Sequence, residues 1–285
     1  MKSSVPLTAV LFLLVFSAIV SAQEADTTFG WKKQAVASLN LTQASFSNWK
    51  QGGDNSLAWQ VKLATRFDLN EEKWNWTNTS KFELGFAKVA GAEARKSTDA
   101  LEIESVLVRK LGTLLNPFVA ATAKTQFVSG FDFDDDNDTK TKVSKFLDPG
   151  YFTQSIGLGY KPNETFRTRM GFTFKETVTS EFSVPYADDP DTEKLEKIRV
   201  EPGISSVSNF SRQFHENVLL VSKLDIFTDL EAFDRIDVTW ENQLTLKVTK
   251  YINVNITVDL LYDKDITSDA QLKEVLGVGF TYTLL

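Results

Sequence analysis

The stretch Ser56-Leu57-Ala58-Trp59-Gln60-Val61-Lys62-Leu63-Ala64-Thr65-Arg66-Phe67-Asp68-Leu69 decides how this chain is built. Its odd positions from Leu57 to Leu69 read Leu, Trp, Val, Leu, Thr, Phe, Leu, and its even positions read Ser, Ala, Gln, Lys, Ala, Arg, Asp. A period of two puts one set on each side of a strand and serves no helix. The rule returns in residues 166–175, where Phe166, Met170, Phe172 and Phe174 oppose Arg167, Arg169, Thr173 and Lys175. It holds again in 236–248, in 252–262 and in the C-terminal 276–284. Extended along the chain, it predicts about twelve strands. They fall at 33–46, 56–69, 74–87, 99–110, 117–128, 150–160, 165–178, 195–208, 214–228, 234–248, 251–263 and 271–284, with Pro202 and Gly203 interrupting the eighth.

Most of these segments exceed the ~5–6 residues usual for globular strands. They match or pass the ~9–11 residues that cross a bilayer when tilted. The connections alternate: 70–73, 111–116, 161–164 and 249–250 are short, while 47–55, 88–98, 129–149 and 179–194 are long. Alternation by itself also fits a soluble barrel; strand length, loop asymmetry and an export signal separate the two. The fold expected is all-β, a single antiparallel transmembrane β-barrel with short periplasmic turns and long extracellular loops.

The export signal is at the start. Lys2 precedes an apolar run from Val5 to Val20, and Val20-Ser21-Ala22 offers small residues for cleavage before Gln23. Residues 1–22 read as a signal peptide and 23–285 as an outer-membrane barrel domain. The full chain has 285 residues, no Cys, one His, and 31 Lys plus Arg against 38 Asp plus Glu, for a net charge of -7. Absent Cys excludes disulfides and thiolate metal sites, and one His excludes a multi-histidine centre. The acidic balance argues against nucleic acid as a partner. Residues 129–149 carry six acids and three Lys, and 179–197 carry six acids and two Lys, so two long loops hold most of the excess charge. A mean hydropathy of -0.18 excludes membrane helices but not strands, because each strand averages a lipid face with a wet one.

In this register the polar faces line a lumen. The candidate lining residues are Lys62, Arg66, Lys81, Glu83, Glu102, Glu104, Lys124, Arg167, Arg169, Lys175, Asp237, Glu241 and Asp259. A charge facing lipid at the midplane costs ~2–4 kcal/mol, whereas a lumen-facing one need not. Two aromatic belts are expected on the apolar face, one beside the short turns (Phe67, Trp74, Trp76, Phe118, Tyr160, Phe166, Tyr251) and one toward the long loops (Trp59, Phe86, Phe127, Phe152, Phe174, Trp240, Tyr262).

Three other features bear on chemistry. Asp132, Asp134, Asp136 and Asp138 crowd one long loop and form a weak calcium candidate, though no EF-hand register supplies the needed Gly and Glu. His215 falls beside a short turn with no nucleophile signature such as G-x-S-x-G around it, so no enzyme activity, metal or cofactor is expected. The segment Asn48-Trp49-Lys50-Gln51-Gly52-Gly53-Asp54-Asn55-Ser56 reads as a tight loop, or as a binding or constriction loop tipped by Trp49.

The same segment carries a resemblance. Gly30-Trp31, Ala37-Ser38-Leu39-Asn40-Leu41-Thr42-Gln43, Asn48-Trp49 and Gly52-Gly53-Asp54-Asn55-Ser56 resemble the opening of the family called domain of unknown function 3078. Asp237-Val238-Thr239-Trp240-Glu241 and Leu260-Leu261-Tyr262-Asp263 resemble its later strands, which extends the similarity from about residue 30 to the end. The resemblance implies an outer-membrane-type barrel of Bacteroidota-like Gram-negative envelopes, with no assigned activity and no catalytic residues to carry over. The chain departs from barrel-assembly signals in ending its apolar face on Leu284 instead of an aromatic residue. The function expected is a passive or substrate-specific channel. The alternatives are a surface protein whose acidic loops bind a partner or cations and, less favoured, an outer-membrane enzyme. The partners expected are outer-membrane lipid, small polar solutes or ions, and the barrel-assembly machinery.

Overall fold

The computed structural model describes residues 29–46, 54–134, 137, 139–188, 193–264 and 269–284. The expected signal peptide lies outside them. The strands are β1 (Gly30–Ala44), β2 (Ser56–Asn70), β3 (Trp74–Val89), β4 (Arg95–Arg109), β5 (Leu115–Thr125), β6 (Gly130–Asp134) and β7 (Thr139–Ser144). They continue with β8 (Gly150–Tyr160), β9 (Phe166–Val178), β10 (Ile198–His215), β11 (Val218–Asp229), β12 (Ile236–Lys247), β13 (Ile252–Asp263) and β14 (Gln271–Thr283). Twelve of them close into an antiparallel barrel in the order β1-β14-β13-β12-β11-β10-β9-β8-β5-β4-β3-β2. Each barrel strand pairs with its sequence neighbour, β6–β7 standing apart as a separate hairpin, and β14 returns to β1. The seam is the shortest pairing described within the barrel, with five registered partners from Val36↔Thr283 to Asn40↔Gly279.

The alternation is realised inside out. Leu276 is 70% exposed, Ile156 61% and Met170 60%, all on the outer surface. Among the described residues the largest fully buried side chains are Thr173, Thr177, Asp148 and Ser183, all polar. Indole N–H groups on the outer face find neighbours there: Trp76 Nε1 donates to Ser105 Oγ at 2.9 Å and Trp240 Nε1 to Ser222 Oγ at 3.0 Å. Such pairing suits an apolar solvent that accepts no hydrogen bonds. Aromatic rings gather near both ends of that face, as in Trp31–Trp76 and Tyr251–Tyr282 at one end and Trp59–Phe86 at the other.

Four details depart from the sequence expectation. The eighth barrel strand spans Ile198–His215, past residue 208, and turns to β11 through Glu216 and Asn217. Pro202 is tolerated because its carbonyl accepts from Leu230 N at 2.9 Å, so its nitrogen also points toward the loop beyond β11 and away from the β9 ladder. Part of the long loop 129–149 folds as the β6–β7 hairpin, and the connection expected at 88–98 shrinks to 90–94. Phe118 leaves the aromatic belt: it is 3% exposed and faces inward against Val106 and Ala120. Polar-in, apolar-out alternation is a rule about averages, and here the lumen accepts a small apolar patch.

Close approach of strands is bought with glycine at a few places. Gly157 and Gly171 are registered partners on β8 and β9, and a Cβ on either would strike the facing backbone. On β10, the Phe227 ring lies over Gly203, where a Cβ would fall within the ring. Gly203→Val should therefore lower the temperature at which the folded, fast-migrating gel species is lost. The expected cost is about 1–3 kcal/mol from overpacking. Adding Phe227→Ala should recover part of that loss, and an unchanged transition in the single variant would count against the packing described.

Candidate functional site in the barrel lumen

Every candidate lining residue lies on an inner face, because the register of each strand fixes which parity points inward. Lys62, Lys81, Glu83, Glu241 and Asp259 share a central cavity of about 240 Å³. Lys124, Arg169, Lys175 and Asp237 line a second of about 240 Å³ toward the long loops. Arg66, Glu104, Arg167 and Arg169 line a third of about 540 Å³ that reaches the short turns. Glu102 lies between these spaces and is engaged by three lysines.

The charges are arranged in pairs, many of which cross the bore. Lys81 Nζ on β3 meets Glu241 Oε1 on β12 at 2.5 Å, and Lys223 Nζ on β11 meets Glu102 Oε1 on β4 at 2.8 Å. Those strands lie nearly opposite each other in the barrel order, so side chains of the two walls touch across the middle. Lys62 bonds Glu83 beside it at 2.8 Å and also donates to Gln243 on β12 at 3.0 Å. Toward the long loops, Lys175 is held between Asp237 at 2.6 Å and Glu201 at 3.1 Å, with Arg199 on the far side of Glu201 at 3.1 Å. Toward the short turns, Arg169 Nη2 meets Glu104 at 2.5 Å and its guanidinium lies over Phe118 at 5.9 Å. A buried ion is tolerated only when paired and hydrogen-bonded. The lumen satisfies that condition by joining opposite walls.

The expected lining, drawn from charged residues alone, leaves out its apolar part. Val106, Phe118, Ala120, Val207 and Phe227 face inward and are buried. It also missed Glu201, which sits close to the Pro202 interruption that made the eighth strand hard to trace. Lys175 over the Phe227 ring at 5.1 Å and Arg169 over Phe118 show what the aromatics do: they give cations a face to lie on.

The other candidate residues stand apart from this network. His215 ends β10, exposed at the short-turn rim, and its ring has no hydrogen-bonded nucleophile or carboxylate among the described residues. Asp132 is exposed on β6, and the Asp134 carboxylate accepts from Asn137 N at 3.2 Å and Nδ2 at 2.7 Å. Asp136 and Asp138 lie outside the described residues, among which no three acids or histidines gather around a common point. Asn48, Trp49, Gly52 and Gly53 are likewise outside. Asn55 is described: its Oδ1 accepts from Phe46 N at 2.7 Å across the first long connection.

Two carboxylates organise the long-loop end. Asp99 accepts from Phe127 N at 2.7 Å and Val128 N at 3.0 Å, fixing the exit from β5. Asp148, fully buried, accepts from Ser180 N at 2.9 Å, Ser180 Oγ at 2.7 Å and Glu181 N at 2.8 Å, latching one long loop to the next. Burial pushes the Asp148 pKa up, but the Ser180 hydroxyl and the N–H groups of Glu181, Ser180 and Phe182 outweigh it and hold it at about 2, below the usual 3.8. The latch therefore contributes fully above pH 3.8 and is lost as pH falls through about 2. Asp148→Asn places an N–H₂ against donors and should cost about 1–3 kcal/mol locally. Limited proteolysis of the loops at neutral pH should speed up in that variant, and wild-type protein should match it only in strong acid. Equal cleavage rates at neutral pH would remove the latch from the account.

The closed bore, its apolar exterior and its charged lining define the chain as an outer-membrane-type β-barrel. A family described as "Protein of unknown function (DUF3078)" matches residues 41–131. That match begins within β1, runs to the start of β6 and does not reach 237–241 or 260–263. No curated protein matches the sequence. Among solved structures, the chain is similar to the translocator domain of the autotransporter NalP from Neisseria meningitidis, at 10% identity and TM-score 0.39, covering 90% of this chain and 89% of that one. It is also similar to an outer membrane channel from Pseudomonas putida F1, at 10% identity and TM-score 0.39, covering 93% and 98%. The NanC porin overlaps at 6% identity and TM-score 0.39, covering 88% and 97%. At this level of overlap no solute or mechanism carries over.

Proposed function

We propose that this protein is an outer-membrane channel for small polar solutes or ions, with a bore narrowed by cross-lumen ion pairs and no enzymatic role. The carrying observation is the presence of charge-lined spaces of about 240, 240 and 540 Å³ inside a barrel whose apolar side chains face outward. A barrel with no transport task can fill its interior, as eight-stranded barrels do; twelve strands enclose more room than side chains need. In this reading residues 1–22 direct export and are removed, the barrel-assembly machinery inserts the chain, the short turns face the periplasm and the long loops face outward.

Basic and acidic groups on the lining are close to balanced, so the resting channel should have small conductance and weak charge preference. Lys81→Ala with Glu241→Ala removes one strap across the middle without leaving an unpaired charge there. In planar bilayers the double variant should conduct several-fold better than the parent protein. Folded protein that conducts in neither form, while showing heat-modifiable gel mobility, would sink the proposal.

A further inference from the structure

The 540 Å³ lumen space holds a cation with no ion-pair partner among the described residues. Arg167, on β9, faces the 540 Å³ cavity at the short-turn end and is solvent-exposed within it. Its guanidinium makes no ion pair or side-chain hydrogen bond among the described residues. The two deeper acids on that lining are taken. Asp68 accepts from Arg66 Nη2 at 2.8 Å, Asn75 Nδ2 at 2.9 Å and Thr77 Oγ1 at 2.8 Å. Glu104 is held by Arg169 through both of its oxygens. At the rim, Glu164 pairs with Lys161 at 2.7 Å. Lys110, also on this lining, donates to Asn70 Oδ1 and to the Glu71 carbonyl, neither of which carries charge.

Five basic side chains therefore share a cavity with three acids, all three already paired. Like charges confined in one pocket repel, and a free fold would be expected to place a carboxylate opposite Arg167 or to omit the arginine. A guanidinium presents its donors in a fork that matches two oxygens of a carboxylate or phosphate. Beside it, Val106, Val108, Phe118 and Val207 supply an apolar wall. We infer that the short-turn cavity is a binding site for a small organic oxyanion, a carboxylate or phosphate group held by Arg167 with its carbon body against that wall. The inference rests on the channel reading only for the route by which the solute arrives.

The test uses the full barrel folded in detergent, with benzoate and inorganic phosphate as probes, Arg167→Gln and Arg167→Lys as variants, and heat-modifiable mobility as the check on folding. Calorimetry should show saturable benzoate binding to the parent protein. Phosphate, with the oxygens but no carbon body, should bind more weakly. Losing a charge-assisted pair should weaken benzoate by roughly 10- to 100-fold in Arg167→Gln, with Arg167→Lys in between. Without ligand, Arg167→Gln should be at least as heat-stable as the parent protein, since it removes repulsion from Arg66 and Arg169. A merely structural arginine would give the opposite. Equal binding in parent protein and Arg167→Gln, binding in neither, or a large loss of ligand-free stability would overturn the site. Arginine-dependent binding in a barrel that does not conduct would leave the site standing and remove the channel. Conductance without arginine-dependent binding would do the reverse.

Discussion

The rest of this structure depends on closing one sheet beneath an apolar outer face. A backbone N–H or C=O exposed to hydrocarbon costs several kcal/mol, so a sheet there must have no edge. The return of β14 to β1 removes the last edge, and the rest is a consequence of closure. A closed sheet has two faces, and here the apolar side chains take the outer one. The apolar residues that would form the core of a soluble domain are spent on the outside, and the polar residues must make an interior out of ions and amides. The network joining Lys81, Glu102, Lys223 and Glu241 does the work that leucines do elsewhere: it ties opposite walls together.

How much of this is legible in the sequence depends on whether a feature is periodic. The strand from Ser56 to Asn70 is plain because fourteen residues repeat one rule, and the parity of each strand tells which charges enter the lumen. Features set by single contacts are not legible that way. Phe118 shares the parity of Lys124 and so belongs to the lumen face, a signal that grouping it by ring type passes over; the contact with Arg169 that covers it is not legible in the sequence. The stretch through Pro202 looks broken because proline lacks a donor; only the position of the loop beyond β11 shows that no ladder bond is missing. The β6–β7 hairpin has its own alternation, Phe131 and Phe133 against Asp132 and Asp134, but at five and six residues its strands are too short to stand out beside the barrel strands.

The candidate site shows the same division. Its residue types could be named in advance, since charge on a lumen face is what alternation reports. Which charges are satisfied and which are not depends on partners far apart in sequence, such as Arg169 with Glu104 or Lys175 with Asp237. Arg167 is the informative member because it is the exception, and an exception becomes visible only after every other pairing has been assigned. The acidic loops follow the opposite logic. Asp99 and Asp148 look like surface charge in the sequence and turn out to be structural acceptors for backbone N–H groups.

The contact between β3 and β12 through Lys81 and Glu241 has one more consequence. Strand number sets an upper limit on the width of a barrel, but here two side chains meeting in the middle take up part of that width. Width and wall are thereby uncoupled. A substitution that shortens one of those side chains alters the aperture while leaving the scaffold and its lipid-facing surface untouched. The space inside such a barrel can change one residue at a time, with no change to the closed sheet or its apolar outer face.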